Sequence, residues 1–364
     1  MQLINAHIEN FKGIKSCDID FKEMIGYRRV SAIIGDNGSG KTTVLQAIGL
    51  ALSLATRKTF KTDAFRWHGF LSDRLSTLGD TLIELTVAFD DEELAAVGSL
   101  FDAWRILPQN MEKQVLRPSD LNTVRLLFRN GGVTSPDGAG AFHQFCGRYY
   151  TSQLIKTQPQ YREEFKKCGD VFWFDQMRNL GQPLLSHSLQ ESATRDDATD
   201  SSSSWQSGVQ QLRQFLVNWW AVHTSSVKHG RDYIPELEDK FKKVFPDVSF
   251  KGVSSNGNET GRSADFYFLL ERSGKTFDIA EMSSGEQAVF PLMYEFVRLN
   301  ISKSIVLIDE LELHLHPPQQ QALLAALPLI GPDCQYLFTT HSPFIESAVP
   351  FENQVRLSGG RLCL

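Results

Sequence analysis

The chain carries Gly35-Asp36-Asn37-Gly38-Ser39-Gly40-Lys41-Thr42, directly after the apolar run Val30-Ser31-Ala32-Ile33-Ile34. This stretch, here called the phosphate loop, matches the pattern G-x-x-x-x-G-K-[ST]. In such loops backbone N–H groups point at a β-phosphate, Lys41 reaches the β- and γ-phosphates, and the Thr42 hydroxyl can bind Mg²⁺. Because strand-like and helix-like runs flank it, the loop favours a nucleoside triphosphate site over an accidental glycine turn. The residues predicted to contact the nucleotide are Gly35, Asn37, Gly38, Ser39, Gly40, Lys41, Thr42 and Thr43.

A second stretch, Ser304-Ile305-Val306-Leu307-Ile308-Asp309-Glu310, has the pattern of a buried strand that ends in two carboxylates. P-loop enzymes use such a pair to hold magnesium and to polarise the attacking water, which assigns Asp309 to the metal and Glu310 to the general base. Taken alone, an Asp-Glu turn after any core strand would be the simpler interpretation. However, Met282-Ser283-Ser284-Gly285-Glu286-Gln287 lies upstream, and the strand-like run Gln335-Tyr336-Leu337-Phe338-Thr339-Thr340-His341 lies downstream.

The order of these motifs resembles that of ABC-type ATPases. The opening Ile4-Asn5-Ala6-His7-Ile8-Glu9-Asn10-Phe11-Lys12-Gly13-Ile14 is similar to the N-terminal strand and turn of the SMC, RecF and OLD-like branch. Asp309-Glu310-Leu311-Glu312-Leu313-His314-Leu315-His316-Pro317 is close to the D-E-P-E-x-H-L-H-P run of its small defence-associated members. The resemblance implies an α/β P-loop NTPase with an ABC-ATPase head, which has a mixed central sheet, an antiparallel N-terminal β layer and a compact helical insertion.

The resemblance also implies a composite active site. In such ATPases the Ser-Gly signature of one protomer closes on the γ-phosphate held by another, so one chain contains two half-sites. Helical sequence over 287–299 after the signature can again offer N–H groups to phosphate. Glu286 departs from the transporter sequence Leu-Ser-Gly-Gly-Gln, which argues against a transporter. The residues assigned to the half-site in trans are Ser283, Ser284, Gly285 and Glu286.

Two further site residues follow from the resemblance. His341 is expected to be the switch histidine that contacts the γ-phosphate or orients the water near Glu310; a strand-end histidine bonded to a nearby loop is the alternative. These ATPases also need a glutamine at a strand end that touches the metal and the water. Val171-Phe172-Trp173-Phe174-Asp175-Gln176 has this form, so Gln176 is the candidate, with a surface residue as the alternative. Arg178 is expected either to reach nucleotide or a partner or to form an ordinary ion pair.

The expected organisation places the two halves of the ATPase head at residues 1–90 and 266–364. Residues 91–265 form an insertion that includes the strand 171–176 and a polar, flexible loop at 191–208. Strands at 3–8, 17–21 and 81–89 are predicted to form an antiparallel layer. Helices are predicted at 91–104, 161–167 and 209–222. A turn is predicted at 256–261, between strands at 248–250 and 266–270. No long a/d heptad pattern is present, so the extended arm of true SMC proteins is not expected. The insertion's tryptophans are explained either by core packing or by a partner surface; they are Trp173, Trp205, Trp219 and Trp220.

The composition is typical of a soluble cytoplasmic protein that does not contact a membrane. The 364-residue chain has no apolar run of the roughly 20 residues needed to cross a bilayer, and its start lacks signal-peptide regions. Its five cysteines show no paired spacing, which favours free thiols in a reducing compartment. The net charge of −6 does not indicate a nucleic acid binder. Local basic patches at 57–61, 166–167 and 240–243 are candidates for DNA contact, with solvated helix faces as the alternative.

The function implied by the resemblance is an ATPase that uses ATP and Mg²⁺ and assembles as a homodimer or higher homo-oligomer. Only residues 342–364 follow His341, enough for strands at 354–357 and 361–364 but not for the nuclease domain that OLD proteins carry there. A separate effector chain, a nuclease or toxin, is therefore expected, as in bacterial anti-phage systems such as Septu, PARIS and retron cassettes, with DNA as a possible ligand. A RecF-like repair ATPase and a nucleotide-dependent scaffold with little turnover remain the alternatives.

Overall fold

The computed structural model covers most of the chain with gaps. It describes residues 1–22, 28–57, 61–65, 67, 69–76, 79–112, 114–174, 204–226, 231–255, 257, 266–313, 315–358 and 361–363. Within these ranges no helix combines the length and the apolar character that a membrane span needs.

The centre of the described fold is a six-stranded sheet of order β14-β13-β3-β12-β11-β7. All its strand pairs are parallel except β13 with β14. Its inner strands are near-continuous apolar runs, which is typical of a sheet covered on both faces. Since β12 lies between β3 and β11, the carboxyl ends of all three strands meet at one edge. The strands are β3 (Val30–Gly35), β7 (Val171–Phe174), β11 (Ile305–Ile308), β12 (Gln335–Thr340), β13 (Gln354–Ser358) and β14 (Arg361–Cys363).

An antiparallel sheet of order β2-β1-β4-β5-β6 covers one side of the central sheet. In β2, Cys17 and Ile19 point inward while Asp18 and Asp20 are exposed, the alternation of a half-buried strand. The predicted N-terminal layer is confirmed, and β5 and β6 extend it. The strands are β1 (Gln2–Phe11), β2 (Ile14–Asp20), β4 (Leu82–Ala88), β5 (Thr123–Arg129) and β6 (Gly132–Thr134).

Helix α1 (Lys41–Thr56) lies between these two sheets. It is buried almost all round, as expected for a helix enclosed by two apolar surfaces. Its Val44, Leu45 and Ile48 share one core cluster with Leu307 of β11 and Ile83 of β4. The helix that begins at the phosphate loop is therefore fixed at the centre of the molecule.

The opposite face of the central sheet carries helices and a small antiparallel sheet of order β10-β9-β8. The helices are α5 (Ser204–Thr224), α6 (Ile234–Val244), α7 (Ser284–Arg298), α8 (Pro317–Ile330) and α9 (Pro343–Ala348), and the strands are β8 (Val248–Ser255), β9 (Phe266–Arg272) and β10 (Lys275–Asp278). The predicted helices at 209–222 and 287–299 and the two strands around 256–261 are confirmed. The predicted flexible loop 191–208 needs a correction, because residues 204–208 belong to α5; residues 191–203 lie outside the described residues.

A helical lobe packs beside the N-terminal sheet. It consists of α2 (Asp91–Arg105), α3 (Ala139–His143), α4 (Gly147–Ile155) and the 3₁₀ helix Pro159–Lys167. Asp90 caps α2 by accepting from the Glu93 N–H, which fixes where this predicted helix begins. Residues 161–167, predicted as the end of a helix, lie in the 3₁₀ helix instead. Phe101, Trp104 and Tyr150 form the aromatic centre of the lobe.

Arg148 joins this lobe to the rest of the protein. Its buried guanidinium donates to the carbonyl oxygens of Phe165 at 3.2 Å and Asn300 at 3.1 Å, and also to that of Leu299. Its Nε lies 3.8 Å from an Asp170 carboxylate oxygen. Since Leu299 and Asn300 follow α7, one cation links α4, the start of β7 and the end of the α7 helix.

Replacing Arg148 with methionine should lower the free energy of unfolding by about 3 kcal/mol, because three buried carbonyl oxygens would lose a charged donor and Asp170 would keep only Arg57 as its cationic partner. The midpoint of urea unfolding measures this loss. Arg117→Met is the matched control, since Arg117 pairs with Asp102 on the surface, where both side chains are more than half exposed. Equal midpoints for the two variants would show that the buried contacts of Arg148 contribute no more to the free energy of unfolding than the surface pair of Arg117.

Candidate functional site

The phosphate loop connects β3 to α1, and its glycines are required by its shape. Gly40 caps α1 at a φ of 100°, in the left-handed region that favours glycine. At Gly35 a glycine is required for a different reason, because a Cβ there would lie 2.4 Å from the Leu357 carbonyl oxygen of β13. The loop therefore passes so close to its neighbouring strand that no side chain fits.

Lys41 lies inside this loop. Its Nζ donates to the carbonyl oxygens of Gly35 at 2.8 Å and Asp36 at 2.9 Å. Burial lowers the pKa of Lys41, while the negative charges of Glu310, Glu312 and Asp309 oppose that shift. The Lys41 ammonium group thus lies in the field of the carboxylates that follow β11.

Thr42 and Asp309 meet directly, as the sequence predicts. The Thr42 hydroxyl donates to Asp309 Oδ1 at 2.8 Å, although the residues are 267 positions apart. Asp309 is only 3% exposed. A hydroxyl and a carboxylate oxygen are hard ligands of the kind that Mg²⁺ prefers, usually in combination with substrate phosphates and water. The donor set at this sheet edge therefore fits Mg²⁺ bound together with a nucleotide.

Glu310 follows Asp309 with a φ of 50°, an uncommon value for a residue with a side chain. Its backbone N–H donates to Thr339 Oγ1 at 2.7 Å. Burial raises the pKa of Glu310, the charges of Asp309 and Glu312 add to this rise, and His341 and Lys41 oppose it. A carboxyl group whose pKa is raised toward neutrality is a better proton acceptor for catalysis than an ordinary one.

His341 is exposed and comes directly after β12, close enough to Glu310 for their charges to interact. Its backbone N–H donates to the carboxylate of Glu312. Glu312 stands two positions after Glu310 in the same run, but no local pattern marks it as a site residue. Its place in the site depends on the contact between the turn after β11 and the end of β12.

The signature begins helix α7, and Ser283 is its N-cap. The Ser283 hydroxyl oxygen accepts from the Glu286 N–H at 3.4 Å, and the Glu286 carboxylate accepts from the Ser283 N–H at 2.9 Å, which together form a capping box. Glu286 also pairs with Arg272 of β9, which contributes to lowering the pKa of Glu286. Glu286 therefore has a local structural role; contact with nucleotide by Ser283, Ser284, Gly285 and Glu286 stays a prediction.

The phosphate loop and the signature lie on opposite faces of the central sheet. Successive residues of β11 point to opposite sides, so Leu307 packs in the cluster that contains α1. Ile308 packs in the other cluster, with Phe290 and Met293 of α7. The helix after the phosphate loop and the helix after the signature are thus separated by the sheet.

The predicted glutamine, Gln176, lies outside the described residues, as does Arg178. The strand before it is confirmed: β7 runs parallel to β11, and Phe174 pairs with Ile308. The Asp309 N–H donates to the Phe174 carbonyl oxygen at 2.9 Å. The chain therefore leaves β7 at the same edge as Asp309, and the role of Gln176 remains a prediction.

Apart from the exposed Lys61, the described cations of the candidate DNA patches have oxygen partners. Arg57 pairs with Asp170 at 3.1 Å, and Lys240 donates to the Ile330 carbonyl oxygen at 2.8 Å. The remaining pairs are Lys166 with Glu163 and Glu236, Lys167 with Glu164, Lys242 with Glu238, and Lys243 with Asp239. These contacts favour ordinary ion-paired surfaces at the described positions.

Core packing accounts for the tryptophans that can be described. Trp173 is 9% exposed and stacks on Trp67 with ring centroids 4.7 Å apart. Trp219 stacks on Tyr233 at 4.5 Å and on Tyr294 at 4.6 Å. The six-membered ring of Trp220 lies against Gly252, where a Cβ would come within 2.9 Å of it. The aromatic residues of the insertion thus fix α5 to α7 and the small sheet.

Comparison with known proteins agrees with this geometry. The family model described as "AAA ATPase domain" matches residues 1–170, and the model described as "AAA domain, putative AbiEii toxin, Type IV TA system" matches residues 183–347. The retron Ec83 probable ATPase of Escherichia coli is 21% identical over 99% of this chain and 72% of that protein. The Septu protein PtuA of Bacillus thuringiensis is 23% identical over 96% of this chain and 74% of that protein.

A further relative is the retron Vc95 probable ATPase of Vibrio cholerae serotype O1 biovar El Tor. The two sequences are 35% identical over 89% of this chain and 68% of that protein. The matched region includes both the phosphate-loop half and the Asp-Glu half of the fold described above. With its phosphate loop, its mostly parallel central sheet and its antiparallel N-terminal layer, the chain is an α/β P-loop protein, and it belongs to the family that includes the retron Vc95 probable ATPase.

Proposed function

We propose that this protein binds ATP with Mg²⁺ and hydrolyses it to ADP and phosphate. The observation that carries the proposal is the direct contact between Thr42 of the phosphate loop and Asp309 of β11. Lys41 would neutralise the phosphates, Thr42 and Asp309 would hold Mg²⁺, and Glu310 would accept the proton of the attacking water. The metal would supply stabilisation of the negative charge on the phosphates.

The active site is completed by a second copy of the chain. The phosphate loop and the signature of one chain are on opposite faces of its sheet, so this arrangement supports two sites shared between two protomers in a homodimer. Each site then combines Lys41 and Glu310 of one protomer with Ser283 of the other. ATP binding joins the two heads, and hydrolysis releases them.

The role we propose is control of a separate effector, a nuclease or a toxin, in a bacterial anti-phage system. Two of the relatives are named as retron ATPases and one as a Septu protein, which supports this role over that of a general repair ATPase of RecF type or a nucleotide-dependent scaffold. DNA is a second proposed ligand. The described cations of the candidate patches other than Lys61 are paired with protein oxygens, which favours a DNA site elsewhere on the protein.

Mixing two inactive variants tests the shared site. Lys41→Ala removes the phosphate-loop contact but keeps the signature, and Ser283→Arg blocks the signature but keeps the phosphate loop. In a mixed dimer one of the two sites has both parts intact. An equal mixture should therefore recover about a quarter of wild-type turnover, since about half of the dimers are mixed and each has one working site.

Each variant alone is expected to show no turnover above background. If the mixture stays inactive while mass measurements show mixed dimers, the shared-site arrangement is wrong. If Ser283→Arg alone turns over ATP at the wild-type rate, the signature takes no part in hydrolysis. Lys242→Ala is the control for loss of a lysine charge, and it should turn over ATP on its own. Lys242 is an exposed helix residue paired with Glu238.

A further inference from the structure

One threonine of β12 holds the whole turn that follows β11. Thr339 is fully buried at 0% exposure. Its Oγ1 donates to Asp309 Oδ1 at 2.7 Å and accepts from the Glu310 N–H at 2.7 Å. Its carbonyl oxygen accepts from the Leu311 N–H at 3.0 Å. Three consecutive residues of the turn are therefore bonded to a single residue of the neighbouring strand.

The direction of these hydrogen bonds is fixed by the chemistry of the partners. An ionised carboxylate can only accept and a backbone N–H can only donate, whereas a hydroxyl does both. The proton of the Thr339 hydroxyl must therefore point at Asp309, and a lone pair must point at Glu310. An aliphatic side chain in this position can make neither contact.

Glu310 needs such support because of its backbone. Its φ of 50° lies in the left-handed region, which is unfavourable for a residue with a Cβ. Its N–H bond to Thr339 is one contact that holds it there. If the bond is lost, the backbone can relax to negative φ, and the Glu310 carboxylate then points in another direction.

Thr339 also connects the carboxylates with His341. It lies two positions before His341, whose N–H is bound by the Glu312 carboxylate. The turn after β11 and the end of β12 are thus joined at Thr339 and again at Glu312. A shift of either segment moves the other, so the metal-binding carboxylate, the base and the histidine keep a common geometry.

We infer that Thr339 is a positioning residue for ATP hydrolysis: its hydroxyl sets the Asp309 carboxylate and the Glu310 base relative to each other. The inference rests on the proposed ATPase function. Thr339 is fully buried, and it acts through Asp309 and Glu310. Loss of its hydroxyl should therefore lower kcat and leave the affinity for metal-free ATP unchanged.

The test compares Thr339→Val with Thr339→Ser. Valine keeps the shape but has no hydroxyl, so kcat should fall about a hundredfold, the usual effect of displacing a catalytic group by about 1 Å. The Kd for ATP, measured with EDTA present so that hydrolysis cannot occur, should stay at the wild-type value. Serine keeps the hydroxyl and should restore most of the lost turnover.

Two controls separate this effect from damage to the fold. Thr151 is also fully buried, and its hydroxyl donates to the Gly147 carbonyl oxygen at 3.0 Å within α4, so Thr151→Val should turn over ATP normally. Thr339→Ala also lacks the hydroxyl and adds no methyl group beside the carboxylate. It should reproduce the loss in kcat, including in the case that Thr339→Val does not fold.

The outcomes distinguish the inference from the proposed function. If wild-type protein hydrolyses ATP and the valine and alanine variants do so equally fast, Thr339 has no positioning role. If the serine variant is as slow as the alanine variant, the hydroxyl is not the cause and the inference is overturned. If the wild-type protein itself shows no hydrolysis, the proposed function fails first, and the inference fails with it.

Discussion

Glu310→Gln should lower ATP turnover about a thousandfold, within the range that loss of a general base usually produces. The amide has nearly the shape of the carboxylate but cannot accept a proton from water. The backbone contact between the Glu310 N–H and Thr339 does not depend on the side chain and should remain. Phosphate release from the purified variant, compared with wild type at saturating ATP and Mg²⁺, measures the effect.

The same variant should keep its affinity for ATP, because Lys41, Thr42 and Asp309 are unchanged. If ATP joins two heads and hydrolysis separates them, the variant should accumulate as an ATP-bound dimer. Its mass in solution should then rise with ATP and Mg²⁺, whereas the wild-type dimer should be transient. A mass that does not respond to nucleotide leaves either a permanent oligomer or a monomer, and a monomer would contradict the shared site.

Glu312→Gln is the matched control for Glu310→Gln. It removes the same charge two positions further along, but its amide oxygen can still accept the His341 N–H. We therefore expect a much smaller loss of turnover than for Glu310→Gln. Equal losses would mean that the total negative charge around Lys41 matters and that Glu310 is not a specific base.

Much of this site could be predicted because its parts are short local patterns. The phosphate loop is recognisable without any other part of the chain, and so is an apolar strand that ends in two carboxylates. Parallel strands bring their carboxyl ends to one edge, which explains why Thr42 and Asp309 meet as expected. The hydrogen bond between the Thr42 hydroxyl and Asp309 shows that the two residues lie together at this edge.

Other features depend on contacts between distant segments, and no local pattern contains them. Thr339 is one of two adjacent threonines at the end of β12, and only its contact with the turn after β11 distinguishes it from Thr340. Glu312 likewise gains its place through the His341 backbone. Strand β5 is a different case, because its buried Val124, Leu126 and Phe128 alternate with outward-facing residues. This period-two pattern can be recognised in the sequence alone.

Lys41→Ala should weaken ATP binding by up to about a hundredfold, because a charge-assisted contact to phosphate contributes up to about 3 kcal/mol. Lys41 lies inside the loop, on the Gly35 and Asp36 carbonyl oxygens, in position to reach bound phosphates. Titration of a fluorescent ATP analogue in the presence of Mg²⁺ measures the Kd. Wild-type affinity in this variant would contradict the assignment of the phosphate loop.

The charge of Lys41 also affects the pKa of Glu310, and a control variant must separate this effect from the effect on ATP binding. Its ammonium group opposes the rise in the pKa of Glu310, so its removal should raise that pKa further. Lys41→Arg keeps the positive charge but cannot place it at the same point, since a guanidinium group is larger and planar. We expect Lys41→Arg to fold like wild type and still bind ATP poorly. That result would show that the position of the ammonium group within the loop, and not only its charge, recognises the phosphates.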